Sequence, residues 1–182
     1  MKKCIFTAFL TLVLSLYAHN VLAADIFKHP ANAVEVSNQM PDFESTKCKF
    51  TQNKYMTASK INLVSGGNFQ FIKNQGVSFE TTYPIHSETS YTTANNKNIN
   101  AIVKSIINKN FTYIEKNFEI YYMKLDNSKW IFALKPKVNS PLNRDLKNIL
   151  INGETKNSYG IITKMVISTE NNTTTISFTQ CG

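Results

Sequence analysis

The stretch NFQFIKNQGVSFETTYP, residues 68–84, reads as a β-hairpin. Phe69 and Phe71 share one face of its first arm. Val77, Phe79 and Thr81 share one face of the second, and Ser78, Glu80 and Thr82 the other. Successive side chains of a strand point to opposite faces, so each arm buries one side only. Asn74-Gln75-Gly76 supplies the turn. Pro84 has no amide donor for a ladder and ends the second arm.

The same period continues on both sides of this hairpin. Upstream, Cys48, Phe50 and Gln52 alternate with Lys47, Lys49 and Thr51. Ser65-Gly66-Gly67 reads as punctuation before the Asn68 arm. Residues 24–45 are weakly patterned, and Pro30 and Pro41 confine any helix to about Ala31–Gln39. Downstream, His86–Thr92 is a polar strand. The period then changes: Ile99, Ile102, Val103, Ile106 and Ile107 stand at i, i+3, i+4, i+7 and i+8, one apolar stripe on a helix of about three turns. Asn95 or Asn96 can cap its start, and Asn108 or Asn110 can end it.

Strands resume at Phe111–Ile114 and Phe118–Leu125, which leads into an Asp126-Asn127 turn. Trp130, Phe132 and Leu134 line one face of the next strand. Ser140-Pro141 opens a short helix to about Lys147. Ile149–Ile151 is a strand followed by an Asn152-Gly153 turn. Ile161–Ser168 and Thr174–Gln180 form a closing hairpin around Asn171-Asn172. The expected fold is mainly β (α+β): roughly ten strands, mostly in meander order, with one strong helix near the middle. Short connections imply an antiparallel sheet.

Composition sets the class. With 182 residues, 42% hydrophobic and 18% charged, the chain suits one globular domain and is neither disordered nor charge-solvated. Lys2 and Lys3 precede an apolar run, Ile5 to Tyr17, that is too short to span a bilayer comfortably. Val21-Leu22-Ala23 follows as a cleavage signal. Residues 1–23 therefore read as a signal peptide and residues 24–182 as the mature domain, exported and soluble; an uncleaved anchor is the alternative. Cys4 lies before the apolar run, so it is not the lipid-bearing Cys that follows a lipoprotein signal. Loss of Lys2 and Lys3 lowers the net charge from +8 to +6. Basic clusters such as Lys135-Pro136-Lys137 are too sparse for a nucleic-acid footprint, so no nucleic-acid partner is expected.

Export permits a disulfide between the two remaining cysteines, Cys48 and Cys181. It would tie the first strong strand to the last and remove at most about 5 kcal/mol of denatured-state entropy. Two buried free thiols are the alternative. Two Cys without a paired His make no metal site, and no metal or cofactor is expected. The mature chain has only His29 and His86. Neither lies in a nucleophile or phosphate-loop motif. Asp42 with Glu44, and Glu115 with Glu119, are acidic pairs in solvated stretches. No catalytic residue is assigned, and the chain does not read as an enzyme.

Four stretches, in order, carry a resemblance: Phe50-Thr51-Gln52; Ser65-Gly66-Gly67 with Phe69 and Phe71; Gly76 to Pro84; and Trp130 to Lys137. The closing Met165-Val166-Ile167 and Thr175-Ile176-Ser177-Phe178 fit as well. Over about residues 44–180 the chain resembles the LolA-like periplasmic lipoprotein carriers. The resemblance implies a strongly curved antiparallel sheet, an incomplete β-barrel enclosing an apolar cavity, with one or two helices as a lid. It implies a periplasmic monomer that shuttles lipoprotein acyl chains, or another lipid, from an inner-membrane exporter to an outer-membrane receptor. The family's Arg-Pro pair in the second hairpin falls here on Lys73-Asn74. Lys keeps the charge and loses the planar fork of five donors.

A palmitoyl-sized chain gains on the order of 12 kcal/mol on leaving water, at about 0.8 kcal/mol per methylene. A shuttle must offer a dry surface to that chain and also release it. Candidate lining residues are Phe50, Phe69, Phe71, Val77, Phe79, Trp130, Phe132, Leu134, Met165 and Phe178. Each by itself can be an ordinary core residue; as a set on a curved sheet they suggest a cavity. Ile99, Ile102, Val103, Ile106 and Ile107 are either a plug that an acyl chain displaces or a stripe packed permanently on the sheet. A sensor or adaptor that binds lipidated ligands or a partner protein without ferrying them is the alternative function. A secreted esterase acting on acylated cargo is a third.

Overall fold

The computed structural model describes residues 26–73, 75–91, 102, 105, 106 and 108–182. Ten strands form one antiparallel sheet. They are β1 (Pro30–Ala31), β2 (Thr46–Met56), β3 (Ile61–Ile72), β4 (Gly76–Tyr83), β5 (Ser87–Tyr91), β6 (Phe118–Lys124), β7 (Lys129–Pro136), β8 (Leu146–Lys156), β9 (Tyr159–Thr169) and β10 (Asn172–Thr179). Two meanders, β2 to β5 and β6 to β10, are joined where β10 pairs with β2, with Phe178 opposite Phe50. β1 and β5 are the two edges, so the curved sheet is open rather than a closed barrel.

Among the described residues, two short helices lie on the inner face. α1 (Ala33–Gln39) starts with a full capping box: Asn32 Oδ1 accepts from the Glu35 amide at 2.9 Å, and Glu35 Oε2 accepts from the Asn32 amide at 3.0 Å. It buries Val36, and Met40 follows it into the core. α2 (Thr112–Asn117) buries Ile114. Ile102, Ser105 and Ile106 have helical backbone and are buried, and amide bonds from Lys109 and Asn110 back to Ile106 and Ser105 end that turn. Ile99, Val103, Ile107 and the capping positions Asn95 and Asn96 lie outside the described residues.

Four local expectations change. Ser65-Gly66-Gly67 is no punctuation: β3 runs through it, with an irregular register at Gly66/Gly67. A Cβ on Gly67 would collide with the Glu80 carbonyl, so glycine lets β4 approach and the sheet bend there. Asn152-Gly153 lies inside β8, also at a register shift. Phe111–Ile114 is not a strand, because residues three apart share a face on a helix and Phe111 and Ile114 both point to the core. The helix expected from Ser140 to Lys147 is a single 3₁₀ turn, Pro141–Arg144, with the Ser140 hydroxyl accepting from the Leu142 amide; β8 begins at Leu146.

The core has an inner and an outer part. On the inner face, α1, α2 and Ile102 with Ile106 cover β6, β7 and β8 around Phe132 and Leu134. On the outer face, a 3₁₀ turn at Ile26–Lys28 drives Ile26 against Tyr121, Ile131, Ala133 and Leu150. β7 is therefore buried on both sides. Burial, and secondarily a bond to Glu119, pushes the Tyr121 hydroxyl up to about 12.

Candidate functional site

All ten candidate lining residues share the inner face, but they do not share one environment. Trp130, Phe132 and Leu134 are at most 2% exposed, and with Phe71 and Val77 they belong to the core beneath the helices. Phe50 and Phe178 are buried in a second apolar cluster with Cys48 and Ile176. Phe69, Phe79 and Met165 are half-buried and touch both clusters. They form a seam between two solid regions. Ile162 of β9 belongs to the same seam, and reading the sequence missed it. Its strand alternates too weakly in polarity to single it out.

Four phenylalanines make the floor at this seam. Phe50 meets Phe79 edge to face at 5.2 Å between ring centroids. Phe69 lies 5.0 Å from Phe79 and 4.8 Å from Phe178. The four come from four adjacent strands, β10, β2, β3 and β4, and pair across them: Phe178 with Phe50, and Phe69 with Phe79. Gly67 stands opposite Phe50 on β3, so no side chain crowds that ring from the facing position. Rings of this kind are stiff and pack edge to face or tilted, so they hold an apolar surface without collapsing on it.

The floor is pinned at one end by a covalent bond. Cys48 of β2 and Cys181, beyond β10, form a disulfide. Each cysteine packs against the phenylalanine floor. The strand ends are further tied by paired amide bonds between Lys47 and Gly182, at 3.0 and 3.1 Å.

The loop at residues 42–45 fastens two neighbouring segments. Lys73, at the hairpin tip, donates from Nζ to Glu44 at 2.8 Å and from its amide to the Ser45 hydroxyl at 3.0 Å. The Glu44 carboxylate raises the Lys73 pKa. Lys109, at the exit from Ile102–Ile106, donates to Asp42 at 3.0 Å and lowers that carboxyl's pKa. Lys73 thus ties the hairpin tip to the loop at residues 42–45. Both ion pairs are solvent-exposed and add little to stability. The expected acidic pair Asp42 and Glu44 is divided between two lysines, and Glu119 accepts from Tyr121 at 2.8 Å.

The outer face of β2, β3 and β10 is different in kind. A concavity of about 360 Å³ there is lined by Thr51, Asn53 and Tyr55 with Thr173 and Thr175 among others. Its residues carry hydroxyl and amide groups, and it lies across the sheet from the phenylalanine floor. Among the described residues no cluster of three or more metal-ligating side chains occurs, and no helix is long and apolar enough to cross a membrane.

No family model matches the chain, and no curated protein matches it. Among solved structures it is similar to a LolA superfamily protein from Nitrosomonas europaea, at 8% identity and a TM-score of 0.36, over 82% of this chain and 90% of that one. It is similar to a DUF1329 family protein from Desulfovibrio piger at 10% identity and a TM-score of 0.35, over 82% and 89% of the two chains. A domain from Vibrio parahaemolyticus named for outer membrane lipoprotein sorting stands at 6% identity and a TM-score of 0.35, with the same coverage. Likeness of this degree assigns neither a ligand nor a residue's role.

Proposed function

We propose that this chain is a periplasmic carrier that takes acyl chains of lipoproteins, or of another lipid, onto the inner face of its sheet and moves them from inner to outer membrane. On this reading residues 1–23 direct export and residues 24–182 form the binding domain. The supporting observation is the seam: Phe69, Phe79, Ile162 and Met165 are large, apolar and half-buried between two buried clusters on an open sheet. Leaving such surface in water is unfavourable by about 25 cal/mol per Å², a loss that a bound acyl chain recovers.

Ile102 and Ile106 act as the plug in this reading, with Ile99, Val103 and Ile107 on the same stripe. An acyl chain that replaces their contacts exchanges one apolar neighbour for another, so loading and release stay close to balance. The test is uptake of a fluorescent fatty-acyl probe, followed by transfer of an acylated lipoprotein between separated membrane fractions. Phe79→Glu places a charge at the centre of the phenylalanine floor and abolishes uptake. Unchanged uptake by that variant overturns the site; uptake without transfer overturns the carrier role.

A further inference from the structure

Trp130 is 2% exposed, and its indole Nε1 is the one buried side-chain polar atom, among the described residues, without a hydrogen-bond partner. An unpaired buried donor costs on the order of 1–3 kcal/mol, so a folded chain seldom keeps one. Phe43 stands nearly perpendicular to it at 6.0 Å between ring centroids, and an aromatic ring is at best a weak acceptor. The ring belongs to the inner apolar core.

The ring's placement is specific. Trp130 on β7 pairs with Gly153 on β8, and Gly153 pairs with Ile162 on β9. A Cβ on Gly153 would collide with the Trp130 atoms Cζ2, Cη2 and Cε2. All three belong to the six-membered ring, so that part of the indole lies over Gly153. The indole therefore leans from β7 across β8 in the direction of β9. Ile162, the next residue in that direction, belongs to the half-buried seam. The indole thus covers Gly153, the residue that separates Trp130 from Ile162 in the register of the three strands.

We infer that the Trp130 indole N–H is a specificity-determining donor that accepts no partner from the protein because it serves the ester or amide carbonyl of an acylated ligand. This rests on the proposed acyl-binding function and assigns one residue of the chain to recognition of the acyl carbonyl, as distinct from the hydrocarbon tail. A carbonyl is the one strong acceptor at the head of an acyl chain, and an N–H in an apolar, water-poor site discriminates between a ligand that has it and one that lacks it. The Gly153 position keeps the ring in place by leaving room for it.

The experiment compares an ester-linked dipalmitoylglycerol with an ether-linked dihexadecylglycerol, each displacing a fluorescent fatty-acyl probe from the full chain. Wild-type protein prefers the ester about tenfold. Trp130→Phe keeps an apolar ring, loses the donor and abolishes that preference, ester affinity falling to that for the ether. Equal affinity of the wild type for ester and ether, or loss of both ligands in proportion in Trp130→Phe, overturns the donor role and leaves acyl binding standing. Failure of the wild type to bind either glycerolipid overturns both. Since Trp130 is the chain's single tryptophan, ultraviolet resonance Raman of the wild type reads the indole N–H without any substitution. Its hydrogen-bond marker shifts on ester binding and stays on ether binding; a marker that does not move with the ester overturns the proposal.

Discussion

Gly153 lies under the indole of Trp130, across the β7–β8 pairing, where any β-carbon would overlap the ring. The position requires glycine for space, since no positive φ is involved. Gly153→Ala forces the indole off the sheet, and overpacking of this kind costs about 1–3 kcal/mol. The single tryptophan reports it: the emission of the variant moves to the red as the ring gains solvent, and the melting temperature falls. An unchanged spectrum and melt would show that the ring is free to yield.

The disulfide joins β2 to Cys181, just beyond its pairing partner β10, yet its loop spans 133 residues of sequence. Such a loop limits the denatured chain, so Cys48→Ser lowers stability by about 2–5 kcal/mol. Chemical denaturation of wild type and variant measures it, and reduction of the wild type brings the two together. Two alkylatable thiols in oxidised, exported protein would contradict the bridge.

Ile102 is 3% exposed in the inner core, and its stripe is assigned to the plug. Ile102→Ala removes apolar contact there and destabilises by about 2–5 kcal/mol. If an acyl chain competes for the same contacts, the loss is smaller with ligand bound, and a bound fatty-acyl probe dissociates at an altered rate. Dissociation at the wild-type rate would mean the stripe is permanent core.

Asp126 holds the β6–β7 turn. Its Oδ1 accepts from the Ser128 amide at 2.7 Å, the Ser128 hydroxyl at 3.0 Å and the Lys129 amide at 2.7 Å. These bonds, the amides first, hold its carboxyl below the usual range. A depressed carboxyl contributes stability that is full above the unfolded value of about 3.9 and is lost as pH falls through the folded one. Asp126→Ala therefore melts below wild type by a constant margin at neutral pH, and the margin narrows in acid below about pH 4. A margin independent of pH down to about 2 would show that the turn does not depend on the charge.

Strand alternation was legible in the residues themselves. A period of two tells which of Phe69, Phe71, Val77 and Phe79 share a face, and the same logic placed Phe50, Trp130, Phe132 and Leu134. All of them lie on the inner face, and the two cysteines that export permits to pair are bonded. What a neighbouring strand does to a residue is not carried by local sequence. Gly66-Gly67 and Asn152-Gly153 look like turns, but β4 and Trp130 approach them, and the chain runs on. Phe111 and Ile114 sit in too short a segment for period to separate helix from strand.

The local pattern set the sidedness of the sheet, because side-chain direction follows from backbone geometry alone. Tertiary structure decided depth. Ile131 and Ala133 face outward by alternation, yet Ile26 covers them. Phe132 and Phe79 face inward alike, yet one is solid core and the other half-open, because α1, α2 and Ile102 with Ile106 cover β6 to β8 and leave the seam at β9, β10 and β2 to β4 less filled. Burial is a sum over neighbours distant in sequence, and a strand read by itself records only which way each side chain points.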